Sequence, residues 1–203
     1  MYPRQKRIVD LVLATTVLVL LSPLLLLIVT AFGLNTLVVR GARGRLLYAE
    51  RRISRGREFS LLKFRTLRED VLMRAAGHAR PYERDVANLT VAGRLLKRWY
   101  LDELPQLFNI VRGDMSFVGP RPWPPGLVEQ QMRDGVDYRN HVVAGLTGAA
   151  QVTKGVPEAR YASSDLDYVR ELNTRRGWSI VAYDLRLMVR TLGVLARGQG
   201  LAD

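Results

Sequence analysis

Cysteine is absent from the 203 residues, which excludes disulfides, thiolate metal sites and a cysteine nucleophile, and leaves the chain with no use for an oxidising compartment. Histidine is nearly absent: His78 and His141 are too few for a histidine-rich metal centre. Acidic residues are scarce. With 19 Asp and Glu against 31 Lys and Arg, the formal net charge is +12, so the fitting partners are anionic: phosphate, lipid headgroups or nucleic acid. Charge of either sign is missing altogether between Leu11 and Val39.

What fills that uncharged stretch is Leu, Val, Thr and Ala, almost without interruption from Leu11 to Ile28. A bilayer segment needs about 20 apolar residues, and soluble core helices seldom sustain such a run. A signal peptide also opens on basic residues, but its apolar core is shorter and ends at a small-residue cleavage site, and no Ala-x-Ala pattern follows here. Arg4, Lys6 and Arg7 precede the run, and Arg40, Arg43 and Arg45 follow it, so the positive-inside bias holds both ends in the cytoplasm. Ser22-Pro23 lies mid-run, where proline removes a backbone donor and bends a helix. A re-entrant helix-break-helix that returns to its own face fits both features; charge alone leaves a kinked single span equally open. The expected organisation is a membrane hairpin over 1–45 with basic flanks, then a catalytic domain on the cytosolic face over 46–203.

The expected fold class is α+β. The soluble part reads as mostly helical, with one small β-hairpin from Leu46–Arg51 and Phe59–Phe64 around Gly56, and with amphipathic helices suited to a membrane interface. Arg68 to Asn88 reads as helix, then loop. Thr90 is a candidate N-cap for a helix whose Val91, Leu95, Leu96 and Trp99 recur near one face. Pro105 to Val111 reads as about two helical turns opened by proline and closed at Gly113. Near the end, Asp165–Leu172 is amphipathic, and in Trp178–Ala196 the residues Ile180, Val181, Leu185, Met188, Leu192 and Leu195 share one broad face.

The stretch from Tyr100 to Pro122 carries the chemistry. Asp102 and Glu103 sit just before Pro105, where carboxylates commonly cap a helix and interact favourably with its exposed amides. Their surroundings suit a second role. Lys63, Arg65, Lys97 and Arg98 precede them, and Gly119-Pro120-Arg121-Pro122 presents a guanidinium from a rigid turn. An acid pair among cations suits phosphate handling. An aspartate can attack phosphorus and form an acyl phosphate, splitting one transfer into two steps. A neighbouring carboxylate can hold Mg²⁺, which takes one or two carboxylates plus phosphate oxygens and relieves repulsion between carboxylate and diphosphate.

Leu101 to Pro122 resembles the signature of the bacterial sugar transferases, the monotopic polyprenyl-phosphate phosphoglycosyl transferases, in a short form that is mostly catalytic domain. Lys63-Phe64-Arg65-Thr66 resembles the family's Lys-Phe-Arg-Ser/Thr motif, and Gly145 to Val152 resembles its Gly-Ile/Leu-Thr-Gly-x-Ala-Gln-Val motif. Ser22-Pro23 resembles its membrane-helix break, and Tyr168, Ser179, Asp184 and Thr191 fit its C-terminal pattern more loosely. The resemblance implies transfer of a phospho-sugar from a UDP-sugar to polyprenyl (undecaprenyl) phosphate with release of UMP, through an aspartyl phospho-sugar intermediate, as the first membrane step of glycoconjugate or exopolysaccharide assembly. It implies Asp102 as nucleophile, Glu103 with Asp102 at Mg²⁺, and Lys63, Arg65, Lys97, Arg121 and Gln151 at the substrate phosphates. The implied location is the cytoplasmic face of the bacterial inner membrane, among membrane lipids and with no nucleic acid partner.

Several positions depart from the family pattern. Lys97 stands where arginine is usual and forfeits bidentate contact. Tyr100 replaces a small hydroxyl residue, Ile53 a hairpin glycine, Ala144 a proline and Ala149 a bulky aromatic. These touch loops and pocket walls more than the acid pair, and so imply altered sugar preference. A reading from another class is a membrane-anchored basic adaptor that binds acidic lipid or nucleic acid by charge alone. It assigns no task to Asp102.

Overall fold

The computed structural model describes residues 2–38, 44–75, 79, 81–149 and 158–196. Arg40, Arg43, His78 and Gln151 lie outside the described residues. The fold is α+β and mostly helical, with two small two-stranded sheets. By contact the chain divides into two units, each discontinuous in sequence. One comprises Met1–Ala14, Arg51–Phe59 and Asn109–Asp203; the other comprises Thr15–Glu50 and Ser60–Phe108.

Helices α1 (Arg4–Leu20) and α2 (Ser22–Val38) meet at a bend of 58°. Pro23 has no N–H to give the Val19 carbonyl, and the Ser22 hydroxyl takes that carbonyl instead at 2.8 Å. The break therefore leaves no orphaned acceptor at Val19. Among the described residues no single helix is long and apolar enough to cross a membrane, whereas this bent pair is apolar enough when taken together.

Strand β1 (Leu47–Ser54) and strand β2 (Arg57–Phe64) pair around Arg55-Gly56. Both turn residues have positive φ, 52° and 70°, as a two-residue hairpin turn requires. The strands thus run beyond the expected Leu46–Arg51 and Phe59–Phe64, because the turn is two residues rather than a long polar loop. The base of the hairpin, helix α3 (Glu69–Ala75) and the segment that follows enclose a small core of Leu67, Val71, Ala79 and Leu89. Helix α4 (Val91–Arg98) begins at the expected cap: the Thr90 hydroxyl accepts from the Gly93 N–H at 2.8 Å.

Helix α5 (Gln106–Arg112) leads into strand β3 (Met115–Val118), which belongs to the first unit. Helix α6 (Pro125–Arg133) then carries the chain to strand β4 (Ala144–Thr147), which runs parallel to β3 with Met115 opposite Ala144. This second sheet was not expected from sequence. Its strands are four residues long, too short for alternation to register. A Cβ on Gly145 would lie 2.1 Å from the Gly119 nitrogen, so only glycine allows the two segments to approach. Helices α7 (Glu158–Thr174) and α8 (Trp178–Ala196) complete the unit.

The first turns of α1 are built into this unit. Lys6, 2 % exposed, donates to the Val118 carbonyl at 2.9 Å and to Asp184 of α8 at 2.5 Å. The Tyr168 hydroxyl of α7 donates to the same carbonyl and to Asp184, both at 3.1 Å. Asp10 accepts from the Tyr2 hydroxyl at 2.7 Å and the Phe117 N–H at 3.1 Å. Lys6 is therefore a core residue and not a headgroup contact, as reading it as a basic flank would have it.

Two helical faces also differ from expectation. On α8 the buried stripe is Ile180, Val181, Asp184 and Leu187, while Leu185 and Leu192 face outward with Trp178 and Val189. On α4 only Leu96 of the four expected apolar positions is buried; Val91, Leu95 and Trp99 line an outward stripe. Periodicity located both helices, but it grouped buried and outward positions on one face and cannot say what covers either.

Candidate active site around Asp102 and Glu103

The site begins where α4 is fastened to the end of β2. The Thr90 N–H and hydroxyl both donate to the Thr66 carbonyl, at 2.8 and 3.2 Å. A Cβ on Gly93 would come within 2.1 Å of that carbonyl oxygen. The Lys63-Phe64-Arg65-Thr66 segment and the helix carrying Lys97 are thus locked together by backbone contact.

After α4 the chain turns through Tyr100, whose φ of 55° puts a non-glycine residue in the left-handed region. That conformation costs about 1–2 kcal/mol. It redirects the chain into a single 3-10 turn, Leu101–Glu103, so the acid pair sits on a tight turn ahead of α5. Asp102 is 4 % exposed, and among the described residues its carboxylate receives no hydrogen bond and makes no ion pair. Glu103 is half-buried beside it.

These surroundings push the Asp102 carboxyl up to about 6. Burial is the main cause, and the charge of Glu103 adds to it, as does that of Glu83; Lys63 and Lys97 act in the opposite direction. Helix capping therefore does not describe Asp102, since a capping carboxylate accepts amide hydrogens and is stabilised as an anion. It is a desolvated carboxylate in a mixed field, with Glu103 and Glu83 opposed by Lys63 and Lys97.

The expected cations divide into two groups. Lys63 is buried 3.8 Å from the Glu50 carboxylate. Lys97 donates to the Glu83 carbonyl at 2.9 Å and pairs with the Glu83 carboxylate at 3.0 Å. Both lower the Asp102 pKa, so the second unit brings them together with the acid pair. Arg65, 2 % exposed, is engaged otherwise: it pairs with Glu69 at 2.8 Å and stacks over Phe32 with its guanidinium 5.2 Å from the ring centre.

Arg121 belongs to the first unit, where a buried arginine supports it. Arg139 donates to the Arg121 carbonyl at 2.5 Å and pairs with Asp165 at 2.9 Å. Its guanidinium lies 4.1 Å from the Trp123 ring centre and 4.8 Å from that of Tyr138. The hairpin tip reinforces the same segment, the Ile53 N–H donating to the Trp123 carbonyl at 3.0 Å.

Sequence reasoning missed Glu83, Glu50 and Arg139. Glu50 had a signal: a two-residue turn at Arg55-Gly56 sets it diagonally across the hairpin from Lys63, an opposite-charge placement. Glu83 and Arg139 had none, since each reaches its partner through a loop.

Asp102 and Glu103 also suit a divalent cation. Among the described residues no group of three or more ligand-type side chains gathers, but Mg²⁺ commonly binds through one or two carboxylates with the remaining places taken by substrate phosphates and water. Two adjacent carboxylates, one already destabilised by the other's charge, are such a donor set.

A family profile described as bacterial sugar transferase matches residues 1–198. An undecaprenyl-phosphate glucose phosphotransferase of Komagataeibacter xylinus is 34% identical over 202 residues, covering 93% of this chain and 35% of that protein. The exopolysaccharide production protein ExoY of Rhizobium meliloti is 36% identical over 211 residues, covering 96% of this chain and 87% of its own. A UDP-glucose:undecaprenyl-phosphate glucose-1-phosphate transferase of Escherichia coli is 32% identical over 200 residues, covering 92% and 39%. The chain thus spans little more than a third of two of these relatives and most of the third.

Proposed function

The chain belongs to the bacterial sugar transferase family, and from that premise we propose that it transfers a phospho-sugar from a UDP-sugar to undecaprenyl phosphate, releasing UMP. The observation that carries the proposal is Asp102: a buried carboxylate with no hydrogen-bond donor on it among the described residues, under the charges of Glu103, Glu83 and two lysines. Structural carboxylates are paired or capped. One left desolvated is suited to attack.

In the first step an Asp102 oxygen attacks the phosphorus that bears the sugar. The bond from that phosphorus to the bridging oxygen breaks, UMP leaves with the bridging oxygen, and an aspartyl phospho-sugar remains. In the second step a phosphate oxygen of undecaprenyl phosphate attacks the same phosphorus. The Asp102 carboxylate leaves and the lipid diphosphosugar forms. Lys63 and Lys97 neutralise charge on the transferring group, and Glu83 holds Lys97 in place for this. Arg121, its carbonyl braced by Arg139 within the first unit, is proposed at the substrate phosphates through its family motif alone. Mg²⁺, when bound by Glu103 and Asp102, supplies charge neutralisation for the diphosphate. Gln151 is proposed at the substrate phosphates through its family motif alone.

The bent α1–α2 pair enters the bilayer and returns to the cytoplasmic face, and the outward stripes of α4 and α8 rest on the interface. The lipid acceptor reaches the site from the membrane.

The test is UMP release by full-length protein in nanodiscs, with undecaprenyl phosphate, Mg²⁺ and a panel of UDP-sugars, compared with Asp102→Asn. Turnover with at least one sugar, abolished by the substitution, is expected. UMP formation that survives it removes Asp102 as nucleophile, and no turnover with any nucleotide sugar favours the basic adaptor.

A further inference from the structure

A cavity of about 510 Å³ opens entirely within the first unit, lined by Tyr2, Arg4, Arg7, Ile8, Arg55 and Arg112. Its volume is in the range of ordinary ligand pockets. Among the described residues no carboxylate lines it, and four of its side chains are guanidinium groups. The proposed reaction uses none of them.

The cluster is a built one. Arg7 donates to the Ile110 and Val111 carbonyls at the end of α5, at 2.5 and 2.6 Å, which fixes its position and uses the favourable end of that helix. Arg7 and Arg55 stand over the Tyr2 ring, 5.9 and 5.6 Å from its centre, and Arg55 also reaches the Gly113 carbonyl at 3.4 Å. Arg4 and Arg112 are exposed at the mouth. Like charges gathered this way repel unless an anion joins them.

A second feature leads out of the cavity. From Ile8 the outward face of α1 continues through Leu11 and Val12, both apolar and exposed. A cationic pocket at the head of an unpartnered apolar stripe is complementary to one kind of molecule, with a phosphate at one end and a hydrocarbon tail at the other.

We propose that this cavity binds the phosphodiester headgroup of an anionic phospholipid, with an acyl chain along the outer face of α1. The site secures the polar end of the bent helix pair at the membrane surface. It does so with Arg4, Arg55 and Arg112, since Lys6 is taken by Asp184 and Arg7 is spent largely on α5.

The experiment is native mass spectrometry of the full-length protein released from detergent with phosphatidylglycerol, phosphatidylcholine, glycerol phosphate or inorganic phosphate as the probe. Wild type is expected to retain one phosphatidylglycerol in preference to phosphatidylcholine, and neither soluble phosphate comparably. Each exposed arginine at a membrane surface is worth about five-fold in affinity for anionic lipid. Arg55→Gln with Arg112→Gln should then lower phosphatidylglycerol retention about twenty-five-fold, with an unchanged melting temperature and unchanged UMP release in detergent that contains undecaprenyl phosphate and no phospholipid. Ile8→Asn should weaken the lipid and leave glycerol phosphate untouched. A charge-matched control, Arg133→Gln with Arg170→Gln, should retain the lipid. Equal loss in the control, retention in the Arg55/Arg112 variant, or glycerol phosphate binding as tight as the lipid would each overturn the proposal.

Discussion

Asp102→Asn should make the protein more stable while abolishing turnover. The carboxyl is pushed from 3.8 up to about 6, chiefly by burial and next by Glu103. A rise of two units corresponds to about 3 kcal/mol by which folding disfavours the charged form. The pH dependence has a definite sign. Below about 4 the group is protonated whether the chain is folded or not, and the penalty is absent. Between about 4 and 6 the unfolded chain ionises first, so wild type loses stability as pH rises, and above 6 the whole penalty is in force. Asparagine keeps the shape without the charge. In a domain of this size 1 kcal/mol moves the melting temperature by about 2–4 °C, so the variant should melt about 6–12 °C higher at pH 7.5 and nearly together with wild type at pH 4. The assay is a thermal scan of detergent-purified protein with a chelator present, repeated across that range. A variant less stable than wild type at pH 7.5 would mean that Asp102 makes stabilising contacts as an anion, and the desolvated-nucleophile argument would fall.

The neighbouring charges should move the acid limb of kcat/KM, since attack requires ionised Asp102. Glu83→Gln removes an anion that raises the Asp102 pKa and should shift the limb to lower pH; Lys97→Met removes a cation that lowers it and should shift the limb to higher pH. Gly93→Ala forces a Cβ into the Thr66 carbonyl and should destabilise by about 3 kcal/mol, read as a lower melting temperature, because overpacking against backbone has little room to relax. Arg139→Met leaves Asp165 buried without its cation and should cost about 3–5 kcal/mol, whereas Arg139→Met with Asp165→Asn should recover much of that in the same thermal scan.

Local chemistry was legible in the sequence to the extent that it acts through neighbours along the chain. Ser22-Pro23 announced the bend, Thr90 announced the start of α4, and the Trp178–Ala196 helix lies where its periodicity put it. The acid pair and Lys63 and Lys97 were found from adjacency and motif. What stayed hidden depends on pairing across the chain. The parallel β3–β4 ladder rests on two four-residue strands and a close glycine contact, neither of which leaves a periodic trace. Lys6 looked like a membrane flank because its charge is visible in sequence and its partner, 178 residues away, is not. The engagement of Arg65 with Glu69 and Phe32 also went unread. On α4 and α8 the sequence marked an apolar face without telling core from interface, and several of its residues face outward, since lipid and protein interior select the same residues.

The central claim is that the sugar phosphate is carried on Asp102, and the most direct measurement is intact mass and peptide mapping after mixing the protein with a turned-over UDP-sugar and no lipid acceptor. The account predicts one equivalent of UMP and a mass increase of one sugar phosphate on the peptide containing Asp102, discharged on adding undecaprenyl phosphate and absent in Asp102→Asn. UMP release only when the lipid is present, with no adduct at any time during active turnover, would contradict it and assign the attack to the lipid phosphate itself.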